Sequence, residues 1–169
     1  MTGVVVWLTG LPSAGKTKLA DAVRLRLRQD RTAHCVLDSD VLRAIIAPTL
    51  GYSEHDRAQF YATLARLAAE LAQQGLIVLV PATAHLREYR RYARQLSPRF
   101  LEVWVTTPLA ECRQRDSKGL YAAAADTRGH LPGVDVRYEE PEHAEVLATG
   151  GDDLDAVERI VSSVASSTS

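Results

Sequence analysis

The chain has 169 residues, of which 46% are hydrophobic and 24% charged, and its formal net charge is −1. This composition is ordinary for a globular protein with a sizeable core, and the near-zero charge gives no reason to expect nucleic acid or an anionic membrane as a partner. No apolar run reaches membrane-spanning length, and Cys35 and Cys112 lack metal-ligand or redox spacing. We therefore expect one domain over residues 1–169, two reduced thiols and a cytoplasmic location.

A glycine-rich loop follows the first apolar run, residues 4–8. Residues 10–17 read G-L-P-S-A-G-K-T and fit the phosphate-loop pattern G-x-x-x-x-G-K-[ST]. Its glycines let backbone amides face phosphate oxygens at the positive end of the next helix, Lys16 supplies charge to the β- and γ-phosphates, and the Thr17 hydroxyl suits Mg²⁺. The pattern predicts that a nucleoside triphosphate is bound by Gly10, Ser13, Ala14, Gly15, Lys16, Thr17 and Lys18.

Apolar spacing and turn residues predict the remaining elements in chain order. We expect helices over residues 15–29, from 41 to about 48, and over 54–74, 87–95, 108–116 and 153–165. Strands are expected over 33–37, 76–80, 99–105 and 144–147, in addition to 4–8. Residues 117–142 are irregular apart from a possible helix at 122–125 and are predicted to form a mobile lid over the site, and residues 162–169 a flexible tail.

This alternation predicts an α/β fold, a five-stranded parallel sheet sandwiched between helices. Ligands of such sheets bind at the carboxyl ends of the strands. The phosphate loop, Asp38–Asp40, residues 81–85 and the segment after 105 all follow strands, so one cleft should gather them. Phosphoryl transfer needs a carboxylate beside the incoming hydroxyl, and we assign that role to Asp40, with Asp38 beside it and Lys16 as the third catalytic residue.

Four elements in this order resemble the adenylylsulfate (APS) kinase family. They are Trp7 to Thr17, Leu37-Asp38-Ser39-Asp40 with Arg43, Leu50-Gly51-Tyr52-Ser53 with Asp56-Arg57, and Asp116 with Lys118-Gly119-Leu120-Tyr121. The resemblance covers residues 4 to 165. It implies a phosphate-loop kinase that transfers the γ-phosphate of ATP to the 3′-hydroxyl of adenylyl sulfate with Mg²⁺, and a homodimer, since members of the family are commonly homodimers.

The resemblance also implies roles for matching positions. Asp40, with Asp38, would lie where the acceptor hydroxyl meets Mg²⁺, so Thr17 and Asp40 are the predicted metal contacts. Tyr52 would stack on the acceptor's adenine. The remaining predicted contacts are Arg43, Arg57, Lys118 and Leu120 for the acceptor and Arg115 for ATP.

The sequence departs from the family pattern on the acceptor side. Phe60 stands where the family commonly has Asn, and Ala82, Ala84, His85 and His130 replace other family residues. A second hypothesis is therefore a kinase of the same fold that phosphorylates another hydroxyl-bearing metabolite. A third is a nucleotide-binding regulatory protein without turnover, against which the retained Asp38 and Asp40 argue. Other arginines are predicted to be solvated, namely Arg66, Arg90, Arg91 and Arg94.

Overall fold

The computed structural model describes residues 2–116, 118–126 and 131–166. Its strands are β1 (Val4–Thr9), β2 (His34–Val36), β3 (Ile77–Pro81), β4 (Phe100–Val105) and β5 (Val146–Ala148). They form one parallel sheet in the order β2-β3-β1-β4-β5. The predicted five-stranded parallel sheet is confirmed.

Seven helices surround the sheet in the described part of the chain. They are α1 (Lys16–Gln29), α2 (Ser39–Ile46), α3 (Glu54–Gln73), α4 (Arg87–Leu96), α5 (Leu109–Arg115), α6 (Leu120–Asp126) and α7 (Leu154–Ala165). Helix α2 begins two residues earlier than predicted because Asp38 caps it, its carboxylate accepting from the amides of Asp40 and Val41.

The first strand shows how the two faces of the sheet are covered. All six residues of β1 are buried, and their side chains alternate between two hydrophobic clusters. Val6 and Leu8 pack with residues of α1 and α7, whereas Val5 and Trp7 pack with residues of α3 and α4. Helices therefore cover both faces, and only the ends of the strands are open to a ligand.

The predicted irregular segment contains more helix than its sequence indicated. Helix α6 begins at Leu120 because the Asp116 carboxylate accepts from the amides of Tyr121 and Ala122, at 3.0 Å each. The last strand, Val146–Ala148, begins two residues later and ends one residue later than the predicted range, 144–147. No helix in the described residues is long and apolar enough to cross a membrane.

The prediction that Arg90 is solvated is wrong. Arg90 is 2% exposed and donates to Glu102 of β4 at 2.7 Å and to the Glu139 carbonyl at 2.6 Å. It also donates to the Ala84 carbonyl. Glu102 is itself largely buried and requires a counter-charge, which explains why this one arginine turns inward. The contacts attach residues 138–140 to the base of the cleft described next.

Candidate active site

A cleft of about 1110 Å³ runs along the carboxyl ends of the strands. It brings together most of the residues that the sequence indicated, whose roles remain predictions. Those lining it are Ser13, Gly15, Lys16, Thr17, Lys18, Asp38, Asp40, Arg43, Tyr52, Arg57, Arg115, Lys118 and Leu120. Gly10 and Ala14 lie beneath it. A Cβ on Gly10 would come within 2.7 Å of the Val105 carbonyl oxygen, so this turn requires glycine.

The phosphate loop is closely packed around Lys16. The Lys16 ammonium donates to the carbonyl oxygens of Gly10 and Leu11 at 3.0 and 2.7 Å, inside the curl of the loop. Burial lowers the pKa of Lys16 to about 8, and the negative charge of Asp40 partly opposes this shift. Thr107, which no sequence motif marks, holds the loop from below by donating to the Ala14 carbonyl at 2.7 Å.

The two candidate carboxylates have different partners. Asp38 accepts a hydrogen bond from the Thr17 hydroxyl at 2.8 Å, so it lies on the phosphate-loop side. Asp40, the second residue of α2, forms an ion pair with Lys118, which precedes α6. The charge of Asp40 also acts on Lys16 of the phosphate loop, so Asp40 interacts both with that loop and with a residue of the other half of the cleft.

That other half is cationic and aromatic. The Arg43 guanidinium contacts two rings, with its carbon 4.7 Å from the centroid of Tyr52 and 4.2 Å from that of Phe60. Arg57 is buried and donates to the Tyr52 carbonyl at 3.0 Å. The Tyr52 ring is 58% exposed, so much of its surface is open to a ligand.

Helix α6 is docked on the phosphate loop through Tyr121. Its hydroxyl donates to the Pro12 carbonyl at 2.8 Å, and burial raises the pKa of this phenol. Tyr121 is the last residue of the Lys-Gly-Leu-Tyr element, so the sequence marked its position but indicated no role for its side chain. Arg115, just before the lid segment, pairs with Glu111 at 3.3 Å.

Three of the five residues that depart from the family pattern do not line the cleft. Ala82, Ala84 and His85 are buried beside it, whereas Phe60 lines it. His85 is 3% exposed, and burial, with the nearby charge of Arg57, lowers its pKa to about 4. His85 is therefore neither the solvated loop histidine that its sequence position favours nor a residue of the cleft wall, and His130 lies outside the described residues.

A parallel sheet with a phosphate loop after its first strand, and carboxylates lining the same cleft, is typical of a phosphate-loop kinase. The family model for adenylylsulphate kinase matches residues 2–149. The adenylyl-sulfate kinase of Paraburkholderia xenovorans is 40% identical over 149 residues, which are 86% of this chain and 82% of that protein. The chain belongs to the adenylylsulphate kinase family.

Further relatives agree in sequence and in structure. The adenylyl-sulfate kinase of Pseudomonas aeruginosa is 40% identical over 163 residues, covering 94% of this chain and 83% of its own. The APS kinase of Mycobacterium tuberculosis, solved in complex with AMPPNP and APS, has a TM-score of 0.87 and 38% identity, covering 94% and 96% of the two chains. A sugar kinase from Janibacter, 20% identical with a TM-score of 0.63, shares the fold.

Proposed function

We propose that the chain transfers the γ-phosphoryl group of ATP to the 3′-hydroxyl of adenylyl sulfate. The observation that carries this proposal is the division of one cleft into two binding surfaces. The phosphate loop forms one surface and Arg43, Tyr52 and Arg57 form the other, while Asp40 lines the same cleft, acts electrostatically on Lys16 and pairs with Lys118. Family membership supports the same reaction.

The chemistry of the second surface favours a nucleotide acceptor over a neutral sugar. Arg43, Arg57 and Lys118 supply positive charge for an anionic group, and the exposed Tyr52 ring offers a face on which a base can stack. Because Ala82, Ala84 and His85 do not line the cleft, they give no support to a different acceptor.

The donor atoms near the phosphate loop fit Mg²⁺. The Thr17 hydroxyl and the Asp38 carboxylate are 2.8 Å apart, and both offer the hard oxygen ligands that Mg²⁺ prefers. No cluster of three metal-ligating side chains occurs in the described residues, which suits an ion held largely by substrate phosphates. The ion would neutralise charge on the transferred phosphoryl group. The assignment of Asp40 to the metal remains a prediction.

The reaction step follows from these positions. The acceptor hydroxyl oxygen attacks the γ-phosphorus, the bond from that phosphorus to the β,γ-bridging oxygen breaks, and ADP leaves. Asp40 orients the hydroxyl and takes its proton, while Lys16 and the loop amides stabilise the charge on the phosphoryl oxygens. Asp40 can act only after Lys118 shifts from it, and an anionic acceptor offers Lys118 an alternative partner.

We also propose a homodimer and a cytoplasmic location. Exposed apolar side chains along α2, at Val41, Ile45 and Ile46, support self-association. Cys35 and Cys112 are unpaired, which suits a reducing compartment.

The proposed function predicts ADP release from ATP and Mg²⁺ that depends on adenylyl sulfate. Asp40→Asn should lower kcat by about 100-fold or more, because the contribution of a general base is of that order. Asp155→Asn, which removes an exposed carboxylate of α7, is the matched control and should leave kcat unchanged.

A panel of other hydroxylated metabolites tests the alternatives. Turnover with one of these metabolites but not with adenylyl sulfate would identify that metabolite as the acceptor. Tight ATP binding without turnover on any member would indicate the regulatory protein instead.

A further inference from the structure

We infer that Phe60 is a positioning residue for the acceptor, because its ring and that of Tyr52 both contact the Arg43 guanidinium and restrict its position. The inference rests on the proposed function, in which Arg43 binds the acceptor's anionic group. It gives a role to a departure from the family pattern that lies on the cleft wall. It also explains why a fully apolar ring stands at the edge of a site built for anions.

The location of Phe60 makes it a rigid support. The residue lies in the second turn of α3, whose start is capped by the Ser53 hydroxyl accepting from the Asp56 amide at 3.1 Å. Phe60 is 1% exposed and packs edge-on against Tyr61 at 5.4 Å between ring centroids. Its ring therefore cannot turn aside without disturbing the core beneath it.

Arg43 lacks such support from its own helix. It lies in the last turn of α2, and no residue of that helix is buried. A long arginine side chain on an exposed helix loses conformational entropy whenever one rotamer is required for binding. The two rings, together with the hydrogen bond from Nη1 to the Gly51 carbonyl at 2.9 Å, restrict that freedom before the acceptor arrives.

The ring contacts also determine where Arg43 meets the acceptor. The two ring contacts hold the guanidinium carbon in one place, and its N–H donors extend from there to the acceptor. The paired N–H donors of a guanidinium match the oxygens of a phosphate or sulfate group, which lysine cannot provide. A polar side chain in place of Phe60 would offer no π-face to the cation.

The test is a double-mutant cycle on acceptor affinity. Phe60→Leu keeps an apolar side chain but removes the ring. The dissociation constant for adenylyl sulfate, measured by calorimetry in the presence of AMPPNP and Mg²⁺, should rise about fivefold to tenfold, as expected for one partly desolvated cation–π contact. AMPPNP affinity should stay within about twofold of the wild-type value, because the ATP surface is separate from Phe60. In the Arg43→Ala background, Phe60→Leu should have no further effect.

Leu64→Val, one turn along α3 and buried in the same cluster, is the matched control for general destabilisation. It should lower the melting temperature without changing acceptor affinity. An acceptor affinity unchanged by Phe60→Leu, or equally weakened with and without Arg43, would overturn the inference and leave the proposed function intact.

The outcomes separate the two claims. Adenylyl sulfate that binds to the wild type without being phosphorylated would refute the proposed function, and the cycle would still measure the role of Phe60. A wild type that does not bind adenylyl sulfate at all would refute both.

Discussion

The pKa of Lys16 depends on whether the phosphate loop is empty or holds a nucleotide. With its ammonium turned onto the carbonyl oxygens of Gly10 and Leu11, the side chain is shielded from water, and its pKa falls to about 8. A bound triphosphate would bring negative charge to the same atom and raise that pKa again. Nucleotide binding should therefore be linked to proton uptake.

This linkage predicts a pH dependence for nucleotide affinity. As pH rises through 8, Lys16 in the nucleotide-free protein loses its charge, so the dissociation constant for AMPPNP with Mg²⁺ should rise about tenfold between pH 7 and pH 9. Calorimetry in two buffers of different ionisation enthalpy should register proton uptake near pH 8.

Lys16→Arg is the control, because arginine does not titrate in this range. Its weaker binding should not change with pH. An equal pH dependence in the wild type and in this variant would assign the effect to another group.

At the scale of elements, α6 connects the lid segment to the phosphate loop. Tyr121 joins the helix to the Pro12 carbonyl, and Lys118 joins its start to Asp40. The far end of the same segment is attached separately, since the Glu139 amide donates to the His85 carbonyl at 2.8 Å. Gly133 of the same segment also lies against Leu11 of the phosphate loop. We expect bound nucleotide to act on α6 through the Pro12 carbonyl.

Tyr121→Phe tests this connection. Loss of the hydroxyl should speed hydrogen exchange of the α6 amides and weaken AMPPNP binding about twofold to tenfold, the range for one buried hydrogen bond. Tyr92→Phe, which removes a hydroxyl that accepts from Arg66 on the opposite side of the sheet from α1, is the matched control. If α6 exchanges at the same rate in Tyr121→Phe and in the wild type, the helix is held by other contacts.

The sequence predicted the strands, helices and loop whose formation depends on residues close together in the chain. Apolar runs predicted β1 and β3 within a residue of their ends, and the Ser53 cap predicted the start of α3. Phosphate-loop spacing marked the residues around Lys16 that the structure brings to one cleft.

What the sequence could not predict depends on partners distant along the chain. Arg90 turns inward only because Glu102 is buried beside it. His85 is buried beside the cleft rather than on its wall, and its position depends on the packing of α3 and α4. The contacts of Arg43 with the Tyr52 and Phe60 rings likewise require α2 and α3 to be placed together.

At the scale of the whole molecule, the proposed function requires the phosphate loop, Asp40 and the cationic, aromatic half of the cleft to act as one transfer site. The most direct measurement incubates the protein with Mg²⁺, adenylyl sulfate and ATP labelled in its γ-phosphate, and then locates the label. The proposed function predicts label on the 3′-oxygen of adenylyl sulfate, with an equal amount of ADP. Label recovered only as inorganic phosphate, or at another position of the acceptor, would contradict it.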